Sequence, residues 1–223
     1  MAANDPAAPM SGGDFDWVAF DAYGTLFDIT GEDWAAPEVI ATFRQKQVQY
    51  TWLVTLMEDY HDFDQVSRAA IEYAAAAHSV DLDIEDVLGR QVRIRTFPEV
   101  PDALERMRAG GRRLAIVSNG RPDSLNALAR NAGVRDRFAA IVSVHPLRVF
   151  KPSPRVYRNA LEELGVEPNR LLFVSSNGWD VAGAISFGLR VCWVNRAGAP
   201  AERIGGRPEL EVRDLSELAA KFD

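Results

Sequence analysis

Four short polar groups stand out in the 223-residue sequence because each follows an apolar run. Trp17-Val-Ala-Phe20 ends in Asp21, with Gly24 and Thr25 close behind, and Arg113-Leu-Ala-Ile-Val117 ends in Ser118-Asn119-Gly120. Ala140-Ile-Val-Ser-Val144 leads to Lys151-Pro152, and Leu171-Leu-Phe-Val174 to Ser175-Ser176-Asn177-Gly178-Trp179-Asp180. Together they offer a carboxylate on a tight turn, a hydroxyl beside an amide, a cation, and a second hydroxyl, amide and carboxylate. That set suits covalent catalysis by an aspartate, in which one carboxylate attacks, the cation and hydroxyls hold it, and the second acid prepares a water. Gly24 permits the turn, and the Thr25 hydroxyl can bond back towards the acid. Singly, each group has a plainer reading: Asp21 as a turn cap, Lys151 as a solvated loop lysine, Ser118 as a helix cap, Asp180 as an acid in a first helical turn. Other chemistries lack their residues, since there is no His-x-x-x-His, no cysteine cluster and no glycine-rich phosphate loop. His61, His78 and His145 are scattered and read as surface or loop residues. The one cysteine, Cys192, excludes an internal disulfide and sits in an apolar run, which makes it a buried structural thiol.

The elements that must position these groups follow from periodicity. Short apolar runs bounded by turn residues are strands buried on both faces, and a fifth such run is Arg190–Val194. Between the first strand and the second lies a block without strand signal. Val39, Phe43, Tyr50, Leu53, Met57 and Tyr60 recur at spacings of three, four and seven and predict one long amphipathic helix. A second helix is predicted from about Asp64 to His78 and a third over Ile84–Ile94. Beyond it, helices open at Pro101, Pro122 and Pro154, and Gly110-Gly111 ends the first of these. Strands alternating with helices mean right-handed crossovers and strand C-termini on one rim, where Asp21, Ser118-Asn119, Lys151 and Ser175–Asp180 should meet. The expected fold is α/β, a mainly parallel Rossmann-like sheet flanked by helices, with an inserted helical cap subdomain. The core covers 14–30 and 98–223, the cap 31–97, and residues 1–13 read as a disordered leader without secretory character. A net charge of −7 without Lys/Arg-rich runs argues against nucleic acid as a partner. No stretch reaches the ~18–20 apolar residues of a membrane span, and the expected location is cytoplasmic.

Asp21-Ala-Tyr-Gly-Thr25, Ser118-Asn119-Gly120, Lys151-Pro152 and Ser175-Ser-Asn-Gly-Trp-Asp180, in this order, resemble the haloacid dehalogenase superfamily. More narrowly they resemble the L-2-haloacid dehalogenases (type II), and the likeness runs from about residue 15 through nearly the whole chain, including Arg44-Gln-Lys-Gln-Val-Gln-Tyr-Thr-Trp-Leu53. Phosphatases of the superfamily carry a second acid two residues after the nucleophile and a pair of acids that hold magnesium. Here Tyr23 and Ser175-Ser176-Asn177 stand in those places. A halide leaves without being protonated, so the loss of both features points away from phosphoryl transfer and implies a reaction without metal or other cofactor.

The resemblance implies the following roles for a small halogenated carboxylic acid as substrate. Asp21 attacks Cα and forms an ester; Thr25 and Lys151 orient it, and Tyr157 bonds within the same network. Ser118 with nearby N–H groups receives the carboxylate, and Arg44 and Asn119 receive the halide. Asp180, with Ser175 and Asn177, positions the water that opens the ester. Tyr23, Gln45, Val48, Phe63 and Trp179 wall the substrate's side chain, in competition with ordinary packing between cap and core. Ala22 stands where the family often has leucine, which either enlarges the pocket or is filled by a neighbour; the expected effect is an altered preference worth ~1–3 kcal/mol. A homodimer is implied as well, with the apolar stretch Tyr50–Leu56 available for it. The competing readings are a metal-dependent phosphatase with Asp21 and Asp180 as its acidic ligands, a member that binds without catalysis, and the same mechanism on haloacetates or another small acid.

Overall fold

The computed structural model describes residues 14–223, so the expected leader at 1–13 lies outside the described residues. Six strands, β1 (Trp17–Phe20), β2 (Arg113–Ser118), β3 (Ala140–Ser143), β4 (Leu171–Ser175), β5 (Arg190–Val194) and β6 (Leu210–Val212), form one parallel sheet in the order β3-β2-β1-β4-β5-β6. Strand order reverses between β1 and β4, and open sheets of this order bind ligands in the crevice at that reversal. Asp21 follows β1 there, its N–H donating to the Val174 carbonyl at 2.9 Å.

Both faces of the sheet are covered, which is why its strands read as unbroken apolar runs rather than as alternation. Val18, Phe20, Leu114, Ile116, Leu172 and Val174 point into one core with α4 (Val100–Ala109), α5 (Pro122–Asn131) and α8 (Leu215–Ala219). Their immediate neighbours Trp17, Ala19, Ala115, Val117, Leu171 and Phe173 point into the other, with α6 (Pro154–Leu164) and α7 (Gly178–Phe187).

The block after β1 holds three helices, α1 (Pro37–Leu56), α2 (Phe63–His78) and α3 (Ile84–Arg90), around an apolar cluster of their own that includes Phe43, Ile71 and Val87. They rest on the strand-end rim. Phe63 meets Phe150 with ring centres 6.3 Å apart, Phe150 N–H donates to the Thr55 hydroxyl at 3.1 Å, and Arg121 reaches Asp62 at 3.1 Å. No helix among the described residues is long and apolar enough to cross a membrane.

Three expectations need correction. The first helix ends at Leu56 rather than continuing to Tyr60, because Glu58 adopts a left-handed φ of 56°. Its buried stripe is Val39, Phe43, Gln47, Thr51 and Val54, while Leu53 and Met57 are exposed, so the periodic signal had mixed two faces. The third helix stops at Arg90, four residues short of Ile94. The sixth strand, β6, was not anticipated, since three residues are too few to show a period and only pairing with β5 defines it.

Candidate active site

Asp21 is the hub. It is 6% exposed, and both of its oxygens are engaged. Oδ1 accepts from Lys151 Nζ at 3.0 Å, and Oδ2 accepts from the Thr25 hydroxyl at 3.1 Å and Asn177 Nδ2 at 2.9 Å. The turn that makes this possible depends on Gly24 at φ 79°, where a Cβ would also stand 3.3 Å from Ser176 Oγ. Thr25 is itself fixed, because its hydroxyl oxygen accepts the Ser176 N–H at 2.8 Å.

Lys151 is fully buried and bridges the two acids, donating to Asp180 Oδ2 at 2.9 Å as well as to Asp21. Its backbone N–H donates to Asn119 Oδ1 at 3.0 Å, which ties the β2 rim to the loop after β3 and leaves the Asn119 amide NH2 as the free donor. Asp180, in the first turn of α7, is also fully buried and accepts from the Tyr157 hydroxyl at 2.7 Å. The two helices come this close because Gly183 of α7 has no side chain; a Cβ there would lie 2.4 Å from Pro152 and 2.8 Å from the Tyr157 oxygen. Burial, together with the charge of nearby Asp21, raises the Asp180 carboxyl above its ordinary value against the pull of Lys151 and Tyr157. Burial alone would lower the Lys151 ammonium, yet the charges of Asp180 and Asp21 carry it above its ordinary value. Burial also raises the Tyr157 and Tyr23 hydroxyls, so both stay neutral donors.

In front of Asp21 lies a cavity of about 130 Å³. At ~30 Å³ per water that is space for a molecule of a few heavy atoms. Ser118, Asn119 and Asn177 line it from the core; Arg44, Val48 and Phe63 line it from α1 and α2. Tyr23, stacked on Phe63 at 5.6 Å, and Trp179, edge-on to Trp52 at 5.8 Å, complete the apolar wall.

Most of the residues named from the sequence therefore meet, in two layers. Asp21, Tyr23, Arg44, Val48, Phe63, Ser118, Asn119, Asn177 and Trp179 line the cavity, while Thr25, Lys151, Tyr157, Ser175 and Asp180 stand behind them. Ser175 Oγ accepts the Asn177 N–H at 3.2 Å and so shapes the turn that aims Asn177. Two residues fall elsewhere. Gln45 is exposed, being one helical position out of phase with Arg44; Gln47 and Thr51, three and seven residues beyond Arg44, line the cavity instead. Ala22 is fully buried in the sheet's first core and does not line the cavity, whereas Ile29 does. Sequence reading also missed Glu32, and gave Ser176 no role of its own within the rim group. Anchoring the helical phase on Arg44 would have found Gln47 and Thr51, but Glu32 and Ile29 lie in irregular chain that carries no period. None of the three histidines lines the cavity, and burial raises the Cys192 thiol far from a reactive range. Among the described residues no three His, Cys, Asp or Glu side chains gather as a metal site.

The model of a family described as haloacid dehalogenase-like hydrolase matches residues 15–188. An (S)-2-haloacid dehalogenase of Pseudomonas sp. (strain YL) is 41% identical over 217 residues, 92% of this chain and 94% of its own length. Haloacetate dehalogenase H-2 of Moraxella sp. (strain B) is 36% identical over 206 residues, 87% of this chain and 92% of its own. The solved structure of an L-2-haloacid dehalogenase from Xanthobacter autotrophicus with chloropropionic acid covalently bound is 34% identical, with a TM-score of 0.84 over 92% of this chain and 97% of that one.

Proposed function

The chain belongs to the haloacid dehalogenase-like hydrolases, and on that premise we propose that it hydrolyses small L-2-haloalkanoic acids to D-2-hydroxy acids through an ester on Asp21, without a metal. The observation that carries the reading is the Asp21–Lys151–Asp180 row behind the cavity that Arg44 overlooks. Among the described contacts of Asp21, Oδ2 has both acceptor directions filled, while Oδ1 has one left, so Oδ1 is the attacking oxygen. It forms a bond to Cα as the carbon–halogen bond breaks, and the halide leaves as an anion towards Arg44 and the Asn119 amide. The substrate carboxylate is held by the Ser118 hydroxyl and neighbouring N–H groups. Water then loses a proton to Asp180 and attacks the Asp21 carbonyl carbon. The ester C–O bond breaks on the Asp21 side, and the released alkoxide takes up the proton. Attack from behind inverts Cα once, and hydrolysis does not touch it.

Lys151 supplies the positive charge that the two acids require. Its ammonium fills the space between Asp21 and Asp180, and the neutral hydroxyl and amide groups of Ser175–Asn177 supply none of the carboxylate charge that holds a magnesium ion. Residues 31–97 serve in this reading as a cap over the core, and the exposed Leu53, Leu56 and Met57 at the end of α1 as the contact of a homodimer. The Moraxella relative favours one second reading, the same mechanism with haloacetates accepted.

The test is halide release from each enantiomer of 2-chloropropionate with EDTA present. Release from the L form alone, with D-lactate as product, is expected. A requirement for magnesium, or release from both enantiomers at similar rates, would overturn the proposal.

The pH profile of kcat, which contains the ester hydrolysis, should be a broad plateau. Asp180 must be ionised to take the proton, and its carboxyl is raised, so the acid limb should lie above the usual carboxylate range. Lys151 must stay charged, and it is raised, so the alkaline limb should lie above the ordinary lysine range. An acid limb that Asp180→Asn leaves in place would assign the base elsewhere.

A further inference from the structure

We infer that Glu32 is a positioning residue for halide departure: it holds one edge of the Arg44 guanidinium, leaves the opposite fork for the anion, and weakens the site's grip on that anion. The inference rests on the reading of Arg44 given above and adds a residue to it. Glu32 comes from the irregular segment between β1 and α1, yet its side chain is only 8% exposed. Oε2 accepts from both Nε, at 3.1 Å, and Nη2 of Arg44, and Oε1 accepts from Gln91 Nε2 at 3.0 Å. Nη1 donates to Gln47 Oε1 at 3.0 Å, and Gln47 is held in turn by the Ser67 hydroxyl at 2.7 Å.

A guanidinium has five N–H donors in a fixed plane. Three are committed here, two to Glu32 and one to Gln47, so one hydrogen on each terminal nitrogen is left. The side-on edge is closed, and Arg44 presents what remains to the cavity that it lines. A long cationic side chain would otherwise sample several rotamers, and placement errors near 1 Å cost about 10²-fold in rate.

The charge count gives Glu32 its second effect. Asp21, Glu32 and Asp180 set three negative charges against two positive ones on Lys151 and Arg44. Without Glu32 the cluster would be neutral and Arg44 uncompensated, and a released halide would stay longer. Glu32→Gln separates charge from placement. The new amide can still accept from Arg44, and Gln91 Oε1, buried without a partner, can accept the amide N–H once the Gln91 side chain flips.

The experiment titrates bromide into the parent protein, Glu32→Gln and Glu32→Ala, following tryptophan fluorescence because Trp179 lines the cavity. In parallel it measures product inhibition and the rate ratio of L-2-bromo- to L-2-chloropropionate. Glu32→Gln should bind bromide on the order of tenfold more tightly and show stronger halide inhibition, with kcat reduced more than kcat/KM. Glu32→Ala should lose about 10- to 100-fold in kcat and widen the bromo-to-chloro ratio, since the poorer leaving group needs the placed fork more. Parent-like bromide affinity and halide ratio in both variants, with only a lower melting temperature, would overturn the inference. So would a parent protein that binds no bromide. Should the parent release no halide from either enantiomer, the catalytic reading fails, while the titration still decides whether Glu32 sets the anion affinity of Arg44.

Discussion

Asp21→Asn abolishes halide release, with turnover falling by about 10⁴-fold or more, as removal of a covalent nucleophile does. An amide nitrogen cannot attack Cα, and the single remaining oxygen cannot serve both Lys151 on one side and Thr25 with Asn177 on the other. The loss should be chemical rather than structural, because the substitution keeps the side chain's size within a site that is almost closed to solvent. Intact-mass measurement completes the case. Asp180→Asn, which keeps the nucleophile but loses the base, should accumulate protein heavier by the haloacid less one hydrogen halide, and the added mass should map to Asp21. Unchanged mass in Asp180→Asn under turnover, or residual halide release from Asp21→Asn near the parent rate, would remove Asp21 from its role.

Lys151→Met is the second large effect, and it acts on stability as well as rate. The ammonium is fully buried between two carboxylates at 3.0 and 2.9 Å, and removing one partner of a buried ionic set leaves uncompensated charge costing about 3–5 kcal/mol. Two neighbouring carboxylates cannot both stay ionised in that setting, so one of them takes up a proton in the folded variant. Its folded-state pKa is then raised above the unfolded value. A group raised in this way contributes its stability below the unfolded pKa and loses it as pH rises through the folded one. The melting temperature of Lys151→Met should thus approach the parent's at acid pH and fall behind progressively towards neutrality. Halide release should be lost across the whole range. A variant that melts with the parent at neutral pH would return Lys151 to the status of a solvated loop lysine.

A smaller matter concerns Ala22. Of the two outcomes left open at this position, an enlarged pocket or one filled by a neighbour, the structure shows Ala22 buried in the sheet's core and Ile29 lining the cavity. In the proposed reading, substrate preference turns on Ile29, Val48, Phe63 and Trp179, whose side chains line the cavity. A methylene more or less at such a wall is worth ~1–3 kcal/mol of discrimination, enough to reorder haloacids without changing the reaction.

The sequence by itself determined the α/β class, the parallel sheet and the family, along with the row of acids and lysine at its strand ends. Each of those features is local: an apolar run sets a strand, and the residue that follows it must emerge on the rim shared by all parallel strands. Thr25 and Asn177 were legible for the same reason, within a turn of the strand that carries them, whereas Tyr157 was named only through the family resemblance. What only the tertiary structure decided lies in the helices and loops that fold over that rim. Gln45 and Gln47 differ by two positions, and only packing against α2 shows that Gln47 faces Ser67 and the cavity while Gln45 faces solvent. Ser175 Oγ accepts the Asn177 N–H and braces that turn, a contact that only the folded chain reveals. Glu32 lies in a segment without period, and no local rule pairs it with an arginine twelve residues on and a glutamine at the far end of α3. Strand ends are fixed by backbone pairing, which the chain writes in its composition. Side chains that reach across from another element are fixed by which surfaces exclude water together, and that is a property of the folded whole.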